Sequence, residues 1–204
     1  GCCFINHNLL MKFEIFKFAR VTSTNDVAIS LIEKEKRESG CVYAASQTKG
    51  RGTHGKIWIS NKGNLFVSIF FHLRENYPPF NEFSIINPLI ISEVLKHFCK
   101  DKKVSLKFPN DVFLNGKKIC GILQETITFE KKNFLIIGIG MNVTSNPKVI
   151  DLYEATNILF ETQKKINIKK IIDFIINSYE KFFKDLNLYD YENYKNKAEL
   201  ISIK

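Results

Sequence analysis

Three short segments carry residue types suited to chemistry on an anionic substrate. Residues 49–56 read Lys49-Gly50-Arg51-Gly52-Thr53-His54-Gly55-Lys56. Glycines at this density let the backbone turn sharply and bring amide N–H groups close to phosphate or carboxylate oxygens. Lys49, Arg51 and Lys56 add positive charge, and His54 adds a donor. The segment lacks the Gly-Lys-Ser/Thr ending of a P-loop, and it leads into a strand where a dinucleotide fingerprint would open a helix. A flexible surface turn is the competing reading. The second segment, Lys107-Phe108-Pro109-Asn110-Asp111, joins a cation, a rigid proline and two short polar side chains, which is also ordinary turn chemistry. Lys118 follows on the return strand of a hairpin that brings it back over Asp111. There an ammonium would neutralise anionic oxygens in a phosphoryl or adenylyl transfer; taken alone, an edge-strand lysine is the stronger reading. The third segment is Gly138-Ile139-Gly140-Met141-Asn142, and glycines inside a strand mark a bulge or a ligand lying against the backbone. No Ser-His-Asp, HExxH or paired-carboxylate pattern stands out. His7, His54, His72 and His97 are scattered along the chain.

The elements that must position these residues follow from periodicity. A short apolar stretch, 13–18, leads to Ser23, whose spacing to Asp26 suits a capping box at a helix start. Val27, Ala28, Leu31 and Ile32 recur at helical spacing, and Gly40 is the expected stop. Residues 41–46 and 64–71 read as strands either side of the glycine-rich loop, which closes on Trp58. Residues 83–98 read as a helix in which Pro88 predicts a kink or a late start. A strand at 104–107 precedes a hairpin, 112–114 and 117–128, because Asn115-Gly116 supplies the positive φ of a type I′ turn. Residues 134–143 form another strand. Residues 167–186 form an amphipathic helix with Ile171, Ile172, Ile175, Tyr179, Phe182 and Phe183 inward. Hairpins with irregularly interspersed helices indicate an α+β fold, with a mixed, largely antiparallel β-sheet flanked by helices.

At 204 residues, with 45% hydrophobic and 25% charged, the chain can bury a core without metal or disulfide staples. Its five cysteines, Cys2, Cys3, Cys41, Cys99 and Cys120, make no CxxC pair and no zinc-site spacing. Cys41, Cys99 and Cys120 sit among apolar residues, so a reducing, cytoplasmic compartment is expected. No apolar run is long enough to span a bilayer. Residues 1–10 lack the basic start and cleavage site of a signal peptide, and Met11 is a candidate natural start. The net charge of +9 would suit a polyanion, yet the lysines are spread along the chain. An acidic protein partner or a nucleotide substrate explains the charge as well, and neither a nucleic-acid nor a membrane partner is expected.

Taken in order, the segments resemble the biotin protein ligase family. The match consists of Ser23-Thr24-Asn25, Gln47 with the run from Lys49 to Trp58, Lys107 to Asp111, Lys118-Ile119-Cys120-Gly121-Ile122-Leu123, and Gly138 to Asn142. The resemblance implies a catalytic domain of the class II aminoacyl-tRNA synthetase type, over residues 13–186, between an N-terminal extension (1–12) and a C-terminal tail (187–204). It implies a reaction in which biotin and ATP, with Mg²⁺, give biotinyl-5′-AMP. A lysine of a biotin carboxyl carrier domain, that of acetyl-CoA carboxylase or a related carboxylase, then takes the biotin. It further implies that Ser23, Thr24, Asn25, Gln47, Gly50, Gly52, Gly121 and Leu123 surround biotin. Arg51 and Lys118 bind its carboxylate and the phosphate oxygens, with Asp111 orienting or deprotonating the incoming lysine. Trp58 and Asn142 contact adenine, while Lys107 and Asn110 support the nucleotide side. No dedicated protein ligands for the metal are implied, and monomers and homodimers both occur among relatives.

Departures from the family pattern carry expectations of their own. The family's glycine loop commonly has Arg where this chain has Thr53 and His54, and Lys56 stands for a frequent Arg. Thr cannot copy an arginine fork, so looser retention of the adenylate intermediate is expected. Phe108 replaces a usual Trp. Too few residues precede the catalytic region for a helix-turn-helix domain, and the chain ends about where a small β-barrel domain begins in many members. The nearest rival reading is a lipoate or octanoyl transferase of the same fold; a non-catalytic biotin-binding regulator is another.

Overall fold

Seven strands, β1 (Ile15–Val21), β2 (Ser39–Gln47), β3 (Leu65–His72), β4 (Val104–Lys107), β5 (Asp111–Leu114), β6 (Lys117–Phe129) and β7 (Lys132–Met141), pair into one sheet. Their order is β1-β2-β3-β7-β6-β5-β4. The β1–β2 pair is parallel and the other pairs are antiparallel, which gives the expected mixed, largely antiparallel sheet. The computed structural model describes residues 10–150 and 153–204. Cys2, Cys3 and His7 therefore lie outside the described residues, as does most of the expected 1–12 extension.

Each face of the sheet meets its own helices, as strand alternation requires. On one face Leu65, Val67, Ile69 and Phe71 of β3 and Leu135, Ile137, Ile139 and Met141 of β7 join the main core. That core also takes in α2 (Phe83–Phe98) and α4 (Ile168–Lys184), whose apolar stripe reads as expected from the sequence. On the other face Val42, Phe70, Phe134 and Ile136 pack on Ala28, Leu31 and Ile32 of α1 (Thr24–Glu35). Toward the start of α1 the residues on that face shrink to Ser68, Gly138, Gly140 and Gly121. Registers Ser68↔Gly138 and Gly140↔Gly121 set them side by side. The space left above them becomes the site.

Local signals explain the helix and turn ends. Ser23 is the N-cap of α1, its Oγ accepting from Asp26 N at 3.1 Å. Asn115 and Gly116 take φ of 50° and 77° in the β5–β6 hairpin. Three expectations need correction. Gly40 does not stop α1: it lies within β2, where a Cβ would sit 2.8 Å from the rings of Phe16 and Phe70, and Lys36 supplies the left-handed cap instead. Pro88 does not delay α2, which runs from Phe83 through it. Residues 187–204, expected as a tail, pack on the body. There α5 (Tyr191–Leu200) buries Ala198, and β4 takes on the segment after it through Leu106 N to Ile201 O (2.9 Å) and Ile203 N to Leu106 O (2.8 Å). A short α3 (Ile158–Thr162) and a two-stranded ribbon, β8 (Val149–Ile150) with β9 (Tyr153–Glu154), complete the described chain.

Candidate active site

The glycine-rich loop folds as a small hairpin. Trp58 N donates to Gly50 O (2.9 Å), Gly52 N donates to Lys56 O (2.7 Å), and Arg51 bridges Ile57. His54 and Gly55 form the tip in left-handed conformation, φ 56° and 72°. Gly50 is required where the strands of this hairpin cross, since a Cβ there would lie 2.5 Å from Trp58 O. The hairpin folds Trp58 down onto the glycine floor. A Cβ on Gly140 would sit 2.4 Å from the Trp58 ring, and one on Gly138 would sit 2.6 Å from Asn25 Oδ1. The strand glycines thus mark close approach by side chains of this chain, and Gly138 and Gly140 also line the cleft.

A cleft opens between the hairpin, the start of α1 and the floor. One end is polar and tightly bonded. Gln47 Oε1 accepts from Thr24 N (2.8 Å), and Gln47 Nε2 donates to Ser60 Oγ (3.0 Å). Ser68 Oγ lies 2.7 Å from Thr24 Oγ1 and 2.5 Å from Asn25 Oδ1, fixing two buried side chains at the N-terminus of α1. At the other end Lys118, only 9% exposed, holds Asp111 at 3.1 Å, with its Nζ 5.7 Å from the Trp58 ring centroid. The Asn-Gly hairpin therefore returns Lys118 over Asp111, and it does so on an interior strand, not an edge.

Arg51 reaches the same cleft from the hairpin. Its guanidinium is clamped between Asp26 and Glu125, and Glu125 also takes Asn25 Nδ2 at 2.7 Å. Partial burial alone would lower the Arg51 pKa, but the two carboxylates outweigh it and hold it above the ordinary value. The residues brought to the cleft are Ser23, Thr24, Asn25, Gln47, Arg51, Gly52, Trp58, Asp111, Lys118, Gly121 and Leu123. Four expected residues stand back from its lining. Gly50 is enclosed within the hairpin, against Trp58 O and Ser60 Oγ. Lys107 is turned onto the Tyr153 ring at 3.8 Å, Asn110 offers its carbonyl to Ile122 N, and Asn142 is buried one residue past Met141. Thr53, singled out in the sequence for its bearing on the intermediate, lies in the lining; sequence reasoning missed Ser68 and Glu125 as groups that hold the lining's side chains. Only Ser68, a lone hydroxyl in an apolar strand, left a visible signal. Among the described residues no three His, Cys, Asp or Glu side chains gather as a metal site.

Comparison with known proteins bears on what such a cleft is. The sequence model of the biotin/lipoate A/B protein ligase family matches residues 17–142, more than half of the chain. The chain belongs to that family. Within it, the biotin–protein ligase 1 of Arabidopsis thaliana chloroplasts is 29% identical over 97% of this chain and 54% of its own length. The chain thus spans about half the length of the curated ligases it matches. The Leishmania major biotin protein ligase, solved with biotinyl-5-AMP, aligns with a TM-score of 0.81 at 27% identity, covering 93% of this chain and 81% of that one. The Aquifex aeolicus ligase, solved with biotin and ATP, aligns at 0.76 and 27%, covering 93% and 78%. The ligase fold is accordingly shared over nearly the whole described chain. No helix among the described residues is long and apolar enough to cross a membrane.

Proposed function

We propose that this chain is an ATP-dependent biotin protein ligase, and that residues 13–186 carry its catalytic site. The observation that supports this best is a single cleft whose lining combines neutral polar groups, Ser23, Thr24 and Gln47, with two cations, Arg51 and Lys118. The neutral groups suit the ureido ring of biotin, which offers both donors and acceptors. The cations suit its carboxylate and the phosphates of ATP. In the first step a biotin carboxylate oxygen bonds to the α-phosphorus while the bond to the bridging oxygen breaks and pyrophosphate leaves. Arg51 and Lys118 stabilise the negative charge that this step spreads over the oxygens. Mg²⁺ accompanies ATP, consistent with its habit of binding through phosphates and few protein groups. Trp58 and Asn142 contact adenine, with Lys107 and Asn110 behind them.

In the second step a carrier lysine attacks the acyl carbon and AMP departs. Only the neutral amine is a nucleophile, and Asp111 orients it or accepts its proton. The mixed anhydride survives only where water is excluded, a role for the hairpin 49–58, which carries Thr53 and Trp58 over the cleft. The partner is a biotin carboxyl carrier domain, acetyl-CoA carboxylase being the expected owner, and the enzyme works as a monomer or homodimer. Three free, buried thiols, Cys41, Cys99 and Cys120, suit a reducing cytoplasm. The test is transfer of labelled biotin to a purified carrier domain, with lipoate and octanoate as competing acids. Biotin transfer that requires ATP is expected; transfer of lipoate in preference to biotin would overturn the assignment.

A further inference from the structure

We infer that Asn64 is a positioning residue for the nucleotide half of the site, holding the turn after Asn142 in the shape that nucleotide recognition needs; this rests on the adenylation reading above. Asn64, 3% exposed, stands just before β3 and reaches across to the chain leaving β7. Its Oδ1 accepts from three successive backbone N–H groups, Val143 (2.9 Å), Thr144 (3.0 Å) and Ser145 (3.2 Å). Its Nδ2 donates to Ser145 O (3.1 Å) and Ser145 Oγ (3.2 Å). Consecutive N–H groups converging on one point form a nest of the kind that elsewhere captures an anion. Here an amide oxygen fills it permanently, so the turn is fixed whether or not substrate is bound.

The residue fixed by this turn carries the second observation. Asn142 N donates to Ile119 O (2.8 Å) and its carbonyl accepts from Ile158 N (3.2 Å), so its main chain is anchored to β6 and α3. Its side chain is 2% exposed, and Nδ2 is the one buried side-chain nitrogen or oxygen among the described residues without a hydrogen-bond partner. Buried donors are almost always satisfied, so Asn142 Nδ2 is free to bond an acceptor from outside the fold, a water or a ligand. Gly140, two residues earlier, lines the cleft. Gly63 lets the two segments meet: at φ 93° a Cβ there would lie 2.3 Å from Thr144 Oγ1. A small residue, an amide clamp and an unsatisfied donor thus converge on one turn, beside the strand that floors the cleft.

The measurement is calorimetric titration of the full chain with biotin and, separately, with a non-hydrolysable ATP analogue. Asn64→Ala removes the acceptor for three N–H groups and is expected to weaken the analogue about tenfold while leaving biotin within about twofold. Asn64→Asp keeps an oxygen in the nest, which tolerates a negative charge, but its second oxygen faces Ser145 O where Nδ2 had donated, so it should restore only part of the affinity. Adding Asn142→Ala to Asn64→Ala should weaken the analogue little further. Should Asn64→Ala not fold, Asn64→Ser, polar but too short to span the nest, carries the same comparison. Equal loss for biotin and analogue, no loss for the analogue, or a large further loss on adding Asn142→Ala would each overturn the inference. A native protein that binds biotin but no nucleotide would instead bring down the adenylation reading on which it rests.

Discussion

Arg51 and Lys118 are both paired with carboxylates at the cleft, and that pairing shapes what the site can do. Asp26 and Glu125 hold Arg51, while Asp111 holds Lys118. An incoming carboxylate or phosphate must share or displace these partners, so the cations arrive oriented and their carboxylates temper the attraction for stray anions. Thr53 lines the same cleft without a charge. Thr53→Arg would add a fork for the adenylate's oxygens. Release of the intermediate is expected to slow about tenfold or more, read as biotinyl-AMP escaping from a filtered enzyme, and identical escape rates would refute that role for Thr53. The buried thiols make a plainer forecast. Burial pushes Cys41 up to about 12 and Cys99 up to about 11, and raises Cys120 as well. Their thiolate fraction at pH 8 is therefore negligible, and native protein should leave all three unalkylated by iodoacetamide while denatured protein reacts at each. Rapid labelling of Cys41 in the native state would contradict the packing described.

At the scale of elements, the floor is where sequence and structure meet most instructively. The cap at Ser23 and the Asn115-Gly116 turn were legible because each is a contact between near neighbours in the chain. Gly138 and Gly140 were legible as unusual, but their partners, Asn25 and Trp58, come from more than 80 residues away, and no local pattern names them. Glu125 and Asn64 were missed for the same reason: each is an ordinary polar residue until folding brings its partners against it, and the lone hydroxyl of Ser68, though unusual, names no partner either. Gly40 misled because Gly after a helix usually ends it, whereas here two aromatic rings claim the space its side chain would need. Gly140→Ala tests the floor directly. Its methyl would displace Trp58, which is the single tryptophan of the chain and so a clean fluorescence reporter. The variant should show a shifted emission maximum and ATP-dependent biotin transfer reduced about 100-fold, while an unchanged spectrum would mean that Trp58 does not rest on Gly140.

At the scale of the whole molecule, the two faces of one sheet differ in what they hold. The face with α2, α4 and α5 carries most of the core, and the α1 face is thinned by small residues to admit a ligand. The stretch 187–204 belongs with the core face. It buries Ala198, packs Tyr189 and Tyr194 on Phe182, and covers the open edge of β4. Its polar composition concealed this, because its few apolar side chains are spaced for contact with α2 and not for a stripe of their own. Deleting 187–204 should destabilise the protein by roughly 3 kcal/mol from lost apolar burial, and the bared strand edge should promote aggregation. A deletion variant with an unchanged Tm would return these residues to the status of a tail.

The proposed chemistry turns on Arg51 and Lys118 dividing between them the charge of one acyl phosphate. Its most direct test is exchange of labelled pyrophosphate into ATP, which reports the first half-reaction without any carrier protein. Exchange should depend wholly on biotin, and Lys118→Ala and Arg51→Ala should each lower it by about 10²–10³. Exchange that runs at the native rate in either variant, or that proceeds without biotin, would contradict that division of charge.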